Sequence, residues 1–316
     1  MRFKEFVEQI NDKVERLLEG KAITTVHEVL KNNGVKLTGI SIGTKDSNIA
    51  PTIYLESYWK KLSDENMFTN VSDSMLQGIA EEIVMEAKKY KNETAITFDW
   101  FTDWNLVQKR LAVKLINRES NGEMLGKVPY RLVLDDLALI VYLVLPKEND
   151  IKNGVVGSVT ITNDHLCQWN KTAEEVIDVA LQNTPNLLPE EIRSMSDLLF
   201  DILGEEKEEH KSLEDVLIPK EDTFLVLSNT KTMYGAVTIL YPNVLKRIAK
   251  VIESDLYILP SSVHEVIILP VTKEVSCNSL REMVAEVNQS SVIDNEEVLT
   301  NTVYVYKREN DMVQVA

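Results

Sequence analysis

The sequence is poor in cysteine. Only Cys167 and Cys277 occur among its 316 residues, too few for a disulfide framework in a chain of this length, and neither belongs to a C-x-x-C pair. The beginning of the chain, Met1 to Glu8, mixes charged with apolar residues and lacks the continuous apolar segment of a secretory signal. Reduced thiols and a cytoplasmic location are therefore expected.

Glycine is scarce as well, with 11 residues scattered along the chain. The sequence contains none of the motifs G-x-x-x-x-G-K-[ST], G-x-G-x-x-G, H-E-x-x-H and G-x-S-x-G. This absence excludes the commonest nucleotide-dependent enzymes more firmly than it excludes enzymes in general. We therefore predict no cofactor, assign no catalytic residue and favour a protein that is not an enzyme.

Long apolar runs and an excess of basic residues are also lacking. The longest apolar run extends only from Leu137 to Leu145 and is closed by Asp136 and Pro146, whereas a membrane-spanning helix needs about 20 residues. The chain carries 50 acidic against 34 basic residues, a net charge of −16, which repels phosphate backbones and anionic lipids. We expect no membrane association and no direct binding of nucleic acid through phosphate contacts.

The pattern of apolar residues predicts an α+β fold with mixed or antiparallel sheets and packed helices. Residues 3–18 repeat apolar positions at helical spacing, and the turn Asn32–Gly34 predicts a β-hairpin, with a bulge at Gly39 where the alternation changes phase. Further helices are predicted from Trp100 to Arg118 and from Pro189 to Ile202.

The most charged stretch of the sequence, Gly204 to Asp215, suggests a division into two lobes. We predict that residues 205–220 form an acidic connection between an N-terminal α+β lobe, 1–204, and a C-terminal α+β lobe, 221–316. In the C-terminal lobe the predicted order of elements is β-α-β-β-α-β, which is typical of a ferredoxin-like fold. The oligomeric state is left open.

Two groups of residues invite a functional hypothesis and have a simpler structural explanation. His165 and Cys167 could start a zinc site with His264 and Cys277, but structural zinc usually needs two tight ligand pairs. We therefore predict no metal, with Asp164 capping a short helix and Cys167 buried.

The second group is an aromatic cluster with two carboxylates. Asp99 and Asp103 lie four residues apart among aromatic rings, a pattern that could form a sugar site. A solvent-exposed pair of carboxylates beside core rings is favoured instead.

The turn between two apolar strands near residue 260 is the most suggestive segment. It contains Ser261, Ser262, His264 and Glu265, and turns on a rigid scaffold often carry functional groups. His264 and Glu265 point to opposite faces of a strand, so they form no local dyad. A plain hairpin turn, in which the serine hydroxyls bind the backbone and His264 is half-buried, is the favoured alternative.

A resemblance rests on several segments taken together. The stretches are Asn-Asn-Gly-Val at 32–35, IAPTIYL at 49–55, Asn-Thr-Pro at 183–185, Tyr-Gly-Ala at 234–236, Leu-Tyr-Pro at 240–242 and LPSSVHEV at 259–266. As a set they resemble an uncharacterised family, a domain of unknown function found mainly in anaerobic Gram-positive bacteria. The resemblance implies no catalytic residue and no substrate. Tyr234 joins Ser261, Ser262, His264 and Glu265 as a candidate binding residue.

Three functions remain in competition. The leading hypothesis is a non-catalytic cytoplasmic binding or protein-interaction module, whose partner is a protein that pairs with an exposed strand edge. The alternative is a hydrolase-type enzyme that uses Ser261, Ser262 and His264 with a distant carboxylate. The third is an acidic decoy of a nucleic-acid-binding protein, which lysines within 205–215 disfavour.

Overall fold

The computed structural model describes residues 1–43, 52–64, 71–93, 98–145, 157–195, 224–260, 262–290 and 294–316. Their contacts form two compact units. The first unit contains the described residues of 1–31 and 35–103, and the second contains those of 32–34 and 104–316. Within these ranges no helix is both long and apolar enough to cross a membrane.

The first unit packs three helices against a small antiparallel sheet of order β1-β2-β3. Its elements are α1 (Phe3–Leu18), β1 (Ile23–Leu30), β2 (Lys36–Gly43), β3 (Thr52–Tyr54), α2 (Glu56–Asp64) and α3 (Asp73–Glu93). The predicted first helix is confirmed, and its face of Phe6, Ile10 and Val14 is fully buried in the core of this unit.

The predicted hairpin of β1 and β2 is confirmed, but the predicted bulge at Gly39 is wrong. The register of the two strands runs without a shift from Ile23 opposite Gly43 to Leu30 opposite Lys36. Gly39 serves a different purpose, because a Cβ at this position would lie 2.3 Å from the methyl group of Thr52. The glycine lets β3 approach β2 closely.

The second unit contains two further antiparallel sheets. One has the order β4-β6-β5 with β7 also paired to β6, and the other has the order β13-β12-β10-β11-β9-β8. The strands are β4 (Leu111–Asn117), β5 (Tyr130–Leu134), β6 (Leu137–Val144), β7 (Ser158–Thr160), β8 (Glu190–Ser194), β9 (Leu225–Asn229), β10 (Leu256–Leu259), β11 (Val266–Pro270), β12 (Tyr304–Lys307) and β13 (Met312–Val315). The helices are α4 (Trp104–Val107), α5 (Gly122–Leu125), α6 (Asn163–Trp169), α7 (Ala173–Leu187), α8 (Val244–Ile252) and α9 (Cys277–Gln289).

Two predicted helices of this unit differ from the structure. The stretch predicted as a helix from Trp100 to Arg118 contains only short helical turns before β4, which is buried on both faces from Leu111 to Ile116. Burial on both faces leaves no period that separates helix from strand. The helix predicted from Pro189 to Ile202 is wrong in its first part, because Glu190–Ser194 form strand β8, whose pairing with β9 overrides local preference. Residues 196–202 lie outside the described residues, so the rest of that helix stays a prediction.

The α+β class with antiparallel sheets is therefore confirmed, whereas the ferredoxin-like order is not observed. In a ferredoxin-like sheet the last strand lies beside the first strand of the β-α-β-β-α-β unit. Here β12 lies beside β10, and β9 is flanked by β11 and β8. Strand β8 lies beside β9, at the position that β12 would take in the ferredoxin-like order.

The predicted acidic connection at 205–220 lies outside the described residues, so the division into lobes at 1–204 and 221–316 stays a prediction. The six-stranded sheet contains strands from both sides of that segment, since β8 precedes it and β9 follows it.

Asp136 links the two sheets of the second unit. It lies in the turn between β5 and β6, and its carboxylate accepts hydrogen bonds from the hydroxyls of Thr300, Thr302 and Tyr304, the last of which belongs to β12. Burial and the nearby carboxylate raise the pKa of the Tyr304 hydroxyl well above its usual range, so this hydroxyl remains a donor. The three donors satisfy a carboxylate that has no basic partner among the described residues.

Replacing Asp136 should weaken this link. Asp136→Asn removes the charge and turns one acceptor atom into a donor that faces hydroxyl oxygens. We expect the free energy of unfolding to fall by roughly 2 kcal/mol, since hydrogen bonds to charged groups contribute about 1.5–3 kcal/mol. Urea unfolding followed by circular dichroism measures the change. The matched control is Asp135→Asn at the adjacent exposed position, and an equal loss in both variants would contradict the link.

Candidate binding site

The turn between β10 and β11 is held by the hydroxyl of Ser262. Its Oγ accepts a hydrogen bond from the backbone N–H of His264 at 3.0 Å, and Ser262 is buried. The carbonyl of Glu265 accepts the N–H of Ser262 at 3.4 Å. Ser262 and Glu265 thus stabilise the turn, as the simpler explanation predicted, while Ser261 lies outside the described residues.

His264 is bound through one ring nitrogen to a distant part of the chain. Its Nδ1 accepts a hydrogen bond from the backbone N–H of Tyr234 at 3.1 Å. Its Nε2 lies 3.8 Å from Oε1 of Glu297, too far for a hydrogen bond. In the neutral ring the proton must therefore sit on Nε2, because Nδ1 already acts as an acceptor.

Tyr234 and His264 stack on each other. Their ring centroids are 5.5 Å apart and their planes differ by 13°. The ring of Tyr234 also meets Tyr142 edge to face, with centroids 5.1 Å apart and an angle of 69°. Three of the predicted candidates, Tyr234, Ser262 and His264, are thus brought together by the fold.

The backbone that carries Tyr234 is unusual and tightly placed. Tyr234 has φ 54°, a left-handed conformation that is uncommon for a bulky residue and costs about 1–3 kcal/mol. At Gly235 a Cβ would lie 2.2 Å from Oγ of Ser228 and 2.5 Å from the carbonyl oxygen of His264. The hydroxyl of Ser228 donates to that same carbonyl at 2.7 Å. The chain around Tyr234 is therefore pressed directly onto the His264 turn.

Lys114 is a buried cation in this cluster. It lies in the centre of β4 between the apolar residues Ala112 and Ile116 on the same face, and only 9% of it is exposed. Its Nζ is 3.9 Å from the centroid of the Tyr234 ring and 5.9 Å from that of Tyr142. Within the described ranges no residue accepts a hydrogen bond from this ammonium or forms an ion pair with it.

The stem of Lys114 is buried, but its ammonium still reaches solvent. A cation–π contact of such an ammonium contributes about 0.5–2 kcal/mol, depending on how far it is desolvated. Lys13 offers a comparison within the same chain, because it is also 9% exposed and its Nζ lies 2.7 Å from the carboxylate of Asp73. Lys13 thus has a carboxylate beside its ammonium, whereas Lys114 has none among the described residues.

Tyr142 adds a second unsatisfied polar group. Its side chain is completely buried, and its hydroxyl has no hydrogen-bond partner among the described residues. Burial, with smaller effects of Tyr234 and Tyr241, raises the pKa of this hydroxyl far above its usual range. The hydroxyl therefore stays neutral and is free to donate a hydrogen bond.

Sequence reasoning missed Lys114, Tyr142 and Glu297. A signal existed for Lys114, since a single charge interrupts the apolar run from Leu111 to Ile116. The helix predicted from Trp100 to Arg118 assigned no role to this lysine. Tyr142 and Glu297 join the cluster only through tertiary contacts, and nothing in their local sequence marks them.

The other candidate groups do not form a site. No three side chains of His, Cys, Asp or Glu in the described part of the chain are arranged to hold a metal ion. The prediction that Cys167 is buried is wrong, because its helix turns the thiol to solvent. Thr162, not Asp164, is the N-cap residue of α6. The side chain of Asp99 lies outside the described residues, so its pairing with Asp103 stays a prediction.

Gly235 should tolerate no side chain. In Gly235→Ala the added Cβ would collide with backbone atoms of His264 and Asn229, so the Tyr234 segment must move away from the turn. We expect the free energy of unfolding to fall by about 2 kcal/mol or more, measured by chemical denaturation. Gly122→Ala is the control, because a Cβ there has no atom within 4 Å. A similar small effect at both positions would contradict the close packing.

His165 should make stability depend on pH. Its Nδ1 accepts the N–H of Thr162 at 3.0 Å, and burial lowers its pKa below the usual range, although Asp164 acts in the opposite direction. As the pH falls below about 6.5, the unfolded chain binds a proton that the folded chain does not. The contribution of neutral His165 is thus present above about pH 6.5 and is lost as the pH falls towards the lowered pKa.

The variant His165→Asn can keep an acceptor for Thr162 but does not titrate. Between about pH 7.5 and 5.5 we expect the wild type to lose more free energy of unfolding than this variant. Parallel denaturant titrations at both pH values measure the difference. Equal losses in the two proteins would show that His165 does not carry the effect.

Comparisons with known proteins give a family but no mechanism. No curated protein and no solved structure matches the chain. The model of a family of unknown function, DUF5688, matches residues 3–308. The resemblance to a domain of unknown function is confirmed to this extent, while the taxonomic range and the individual motifs stay predictions. The chain therefore belongs to DUF5688, a family of unknown function.

Proposed function

We propose that this protein is a non-catalytic binding protein of the cytoplasm, and that it recognises its partner at the cluster of Lys114, Tyr142, Tyr234 and His264. One observation carries the proposal: the ring of Tyr234 contacts both the imidazole of His264 and the ammonium of Lys114. Such a ring offers stacking and cation–π contacts in a fixed position. A fixed aromatic group beside polar groups is typical of recognition sites.

The alternative of a hydrolase is less well supported. A nucleophile and its general base work as a pair when their heavy atoms lie within hydrogen-bond distance, about 2.6–3.2 Å. The hydroxyl of Ser262 binds the backbone of His264 instead of its ring, and Nδ1 of His264 is occupied by Tyr234. The nearest carboxylate shown beside the ring, that of Glu297, is 3.8 Å away. The role of Ser261 in this alternative stays a prediction.

A protein is the partner that we favour. Strand β13 ends the six-stranded sheet and exposes 58% of Met312 and 41% of Val315. A terminal strand can pair through its backbone with a strand of another chain. The net charge of −16 disfavours nucleic acid and anionic membranes as partners.

The test compares partner retention by two matched histidine variants. His264→Asn can still accept the N–H of Tyr234 but removes the stacked ring, whereas His27→Asn changes an exposed histidine of β1 in the first unit. Each protein is immobilised and exposed to native extract of the organism that encodes it, and retained proteins are quantified by mass spectrometry. We expect a partner that the wild type and His27→Asn retain equally and His264→Asn retains at least about tenfold less.

The same preparations are assayed for hydrolysis of chromogenic carboxylic and phosphoric esters. Turnover by the wild type that His264→Asn abolishes would support the hydrolase and contradict a non-catalytic role. Equal retention of every protein by the wild type and His264→Asn would also overturn the proposed site.

A further inference from the structure

We infer that Lys114 is the receptor of a small anion, and that the partner of this protein presents a carboxylate or phosphate group to it. This inference rests on the proposed binding role and names the chemical group that the site takes. Lys114 is the cation of the cluster, with a buried stem and an ammonium that contacts the ring of Tyr234.

The first argument is the contrast between the two buried lysines. Lys13 and Lys114 are equally buried, each with 9% exposed. Lys13 has the carboxylate of Asp73 at 2.7 Å, whereas Lys114 has only aromatic rings among the described residues. The buried stem of Lys114 holds its solvent-reaching ammonium against Tyr234 with no carboxylate beside it in the described part of the chain, so an anion from outside the chain can take the place that Asp73 takes for Lys13.

The second argument is the set of hydrogen-bond donors that remain unused. The ammonium of Lys114 carries three N–H groups, and no acceptor for them is found in the described part of the chain. Charge-assisted hydrogen bonds from such donors to carboxylate or phosphate oxygens are the strong ones. The ammonium therefore matches an oxyanion and does not match a cation.

The size of the anion follows from access and from charge. Lys114 keeps a small exposed fraction, and the neighbouring side chain of His264 is 31% exposed, so a small group can approach the cluster. The protein as a whole carries a charge of −16 and repels polyanions over long range. A single carboxylate or phosphate group satisfies both conditions, and a nucleic acid does not.

The test follows thermal unfolding of the full chain in a zwitterionic buffer, with sodium phosphate or sodium acetate added and ionic strength held constant. We expect at least one anion to raise the unfolding temperature of the wild type in a saturable way. Lys114→Met, which keeps the shape of the stem but removes the charge, should show at least about tenfold weaker apparent affinity. Lys127→Met, at an exposed position of the same unit, should respond like the wild type.

A second measurement uses the same curves at zero anion. Because the ammonium has no counter-charge there, the unfolding temperature of the wild type should rise relative to that of Lys114→Met as the anion is added. If the difference between the two proteins is the same at every anion concentration, the lysine has a purely structural cation–π role and the inference is overturned. Equal responses of the wild type and Lys114→Met to both anions would overturn it as well.

The two sources of the anionic group are separated by competition. Release of the retained partner by free phosphate or acetate would show that the partner presents the group itself, whereas a saturable effect of phosphate or acetate without any release would assign the site to a free small anion. The first result supports both parts of the inference, whereas the second keeps the anion receptor at Lys114 and overturns the part in which the partner presents the group. If Lys114→Met leaves both the anion response and partner retention unchanged while His264→Asn abolishes retention, the inference is overturned and the proposed function stands.

Discussion

The carboxylate of Asp136 is the interaction on which the second unit depends. It ties the turn between β5 and β6 to the segment that enters β12, through three hydroxyl donors. The two sheets that it links supply different halves of the candidate site. Lys114 and Tyr142 lie on β4 and β6, whereas Tyr234 and His264 follow β9 and β10 along the chain. The aromatic cluster exists because these two sheets are held in a fixed relation.

Unequal neutralisation of charge is the main electrostatic feature of the protein. Arg131, for example, lies between two carboxylates, and its guanidinium binds both Glu174 and Asp178. With an excess of acidic residues, the chain has carboxylates in abundance for its basic side chains. Lys114 nevertheless meets only tyrosine rings among the described residues. The lack of a counter-charge for Lys114 in so acidic a protein is the observation behind the binding role that we propose for it.

The sequence carried enough information for the elements that have a clear period or turn. Helix α1 and the hairpin of β1 and β2 could be predicted because each exposes one face to solvent and ends at residues with special backbone geometry. Strand β4 could not, since burial on both faces erased the period. Strand β8 also could not, because its pairing with β9 reaches across a long stretch of sequence.

The residues of the candidate site could be predicted only in part, and for other reasons than the secondary structure. The turn that contains Ser262 and His264 stood out because hydroxyl, imidazole and carboxylate groups are crowded between apolar strands. Tyr234 was a candidate only because it belongs to the Tyr-Gly-Ala stretch at 234–236. Its stacking on His264 joins residues far apart in sequence, so no local pattern predicts it. The lone charge in an apolar run marks Lys114 itself, but its contact with Tyr234 depends on the docking of two sheets, which no local pattern encodes.

The left-handed backbone at Tyr234 has a thermodynamic consequence. Thr232 and Tyr234 both have positive φ, and the side chain and main chain of Asn229, which is fully buried, fix the loop around them. A ring held in this way loses little rotational freedom when a ligand settles on it. Under the proposed binding role, association then costs less conformational entropy than at a flexible loop, because folding has already ordered the ring.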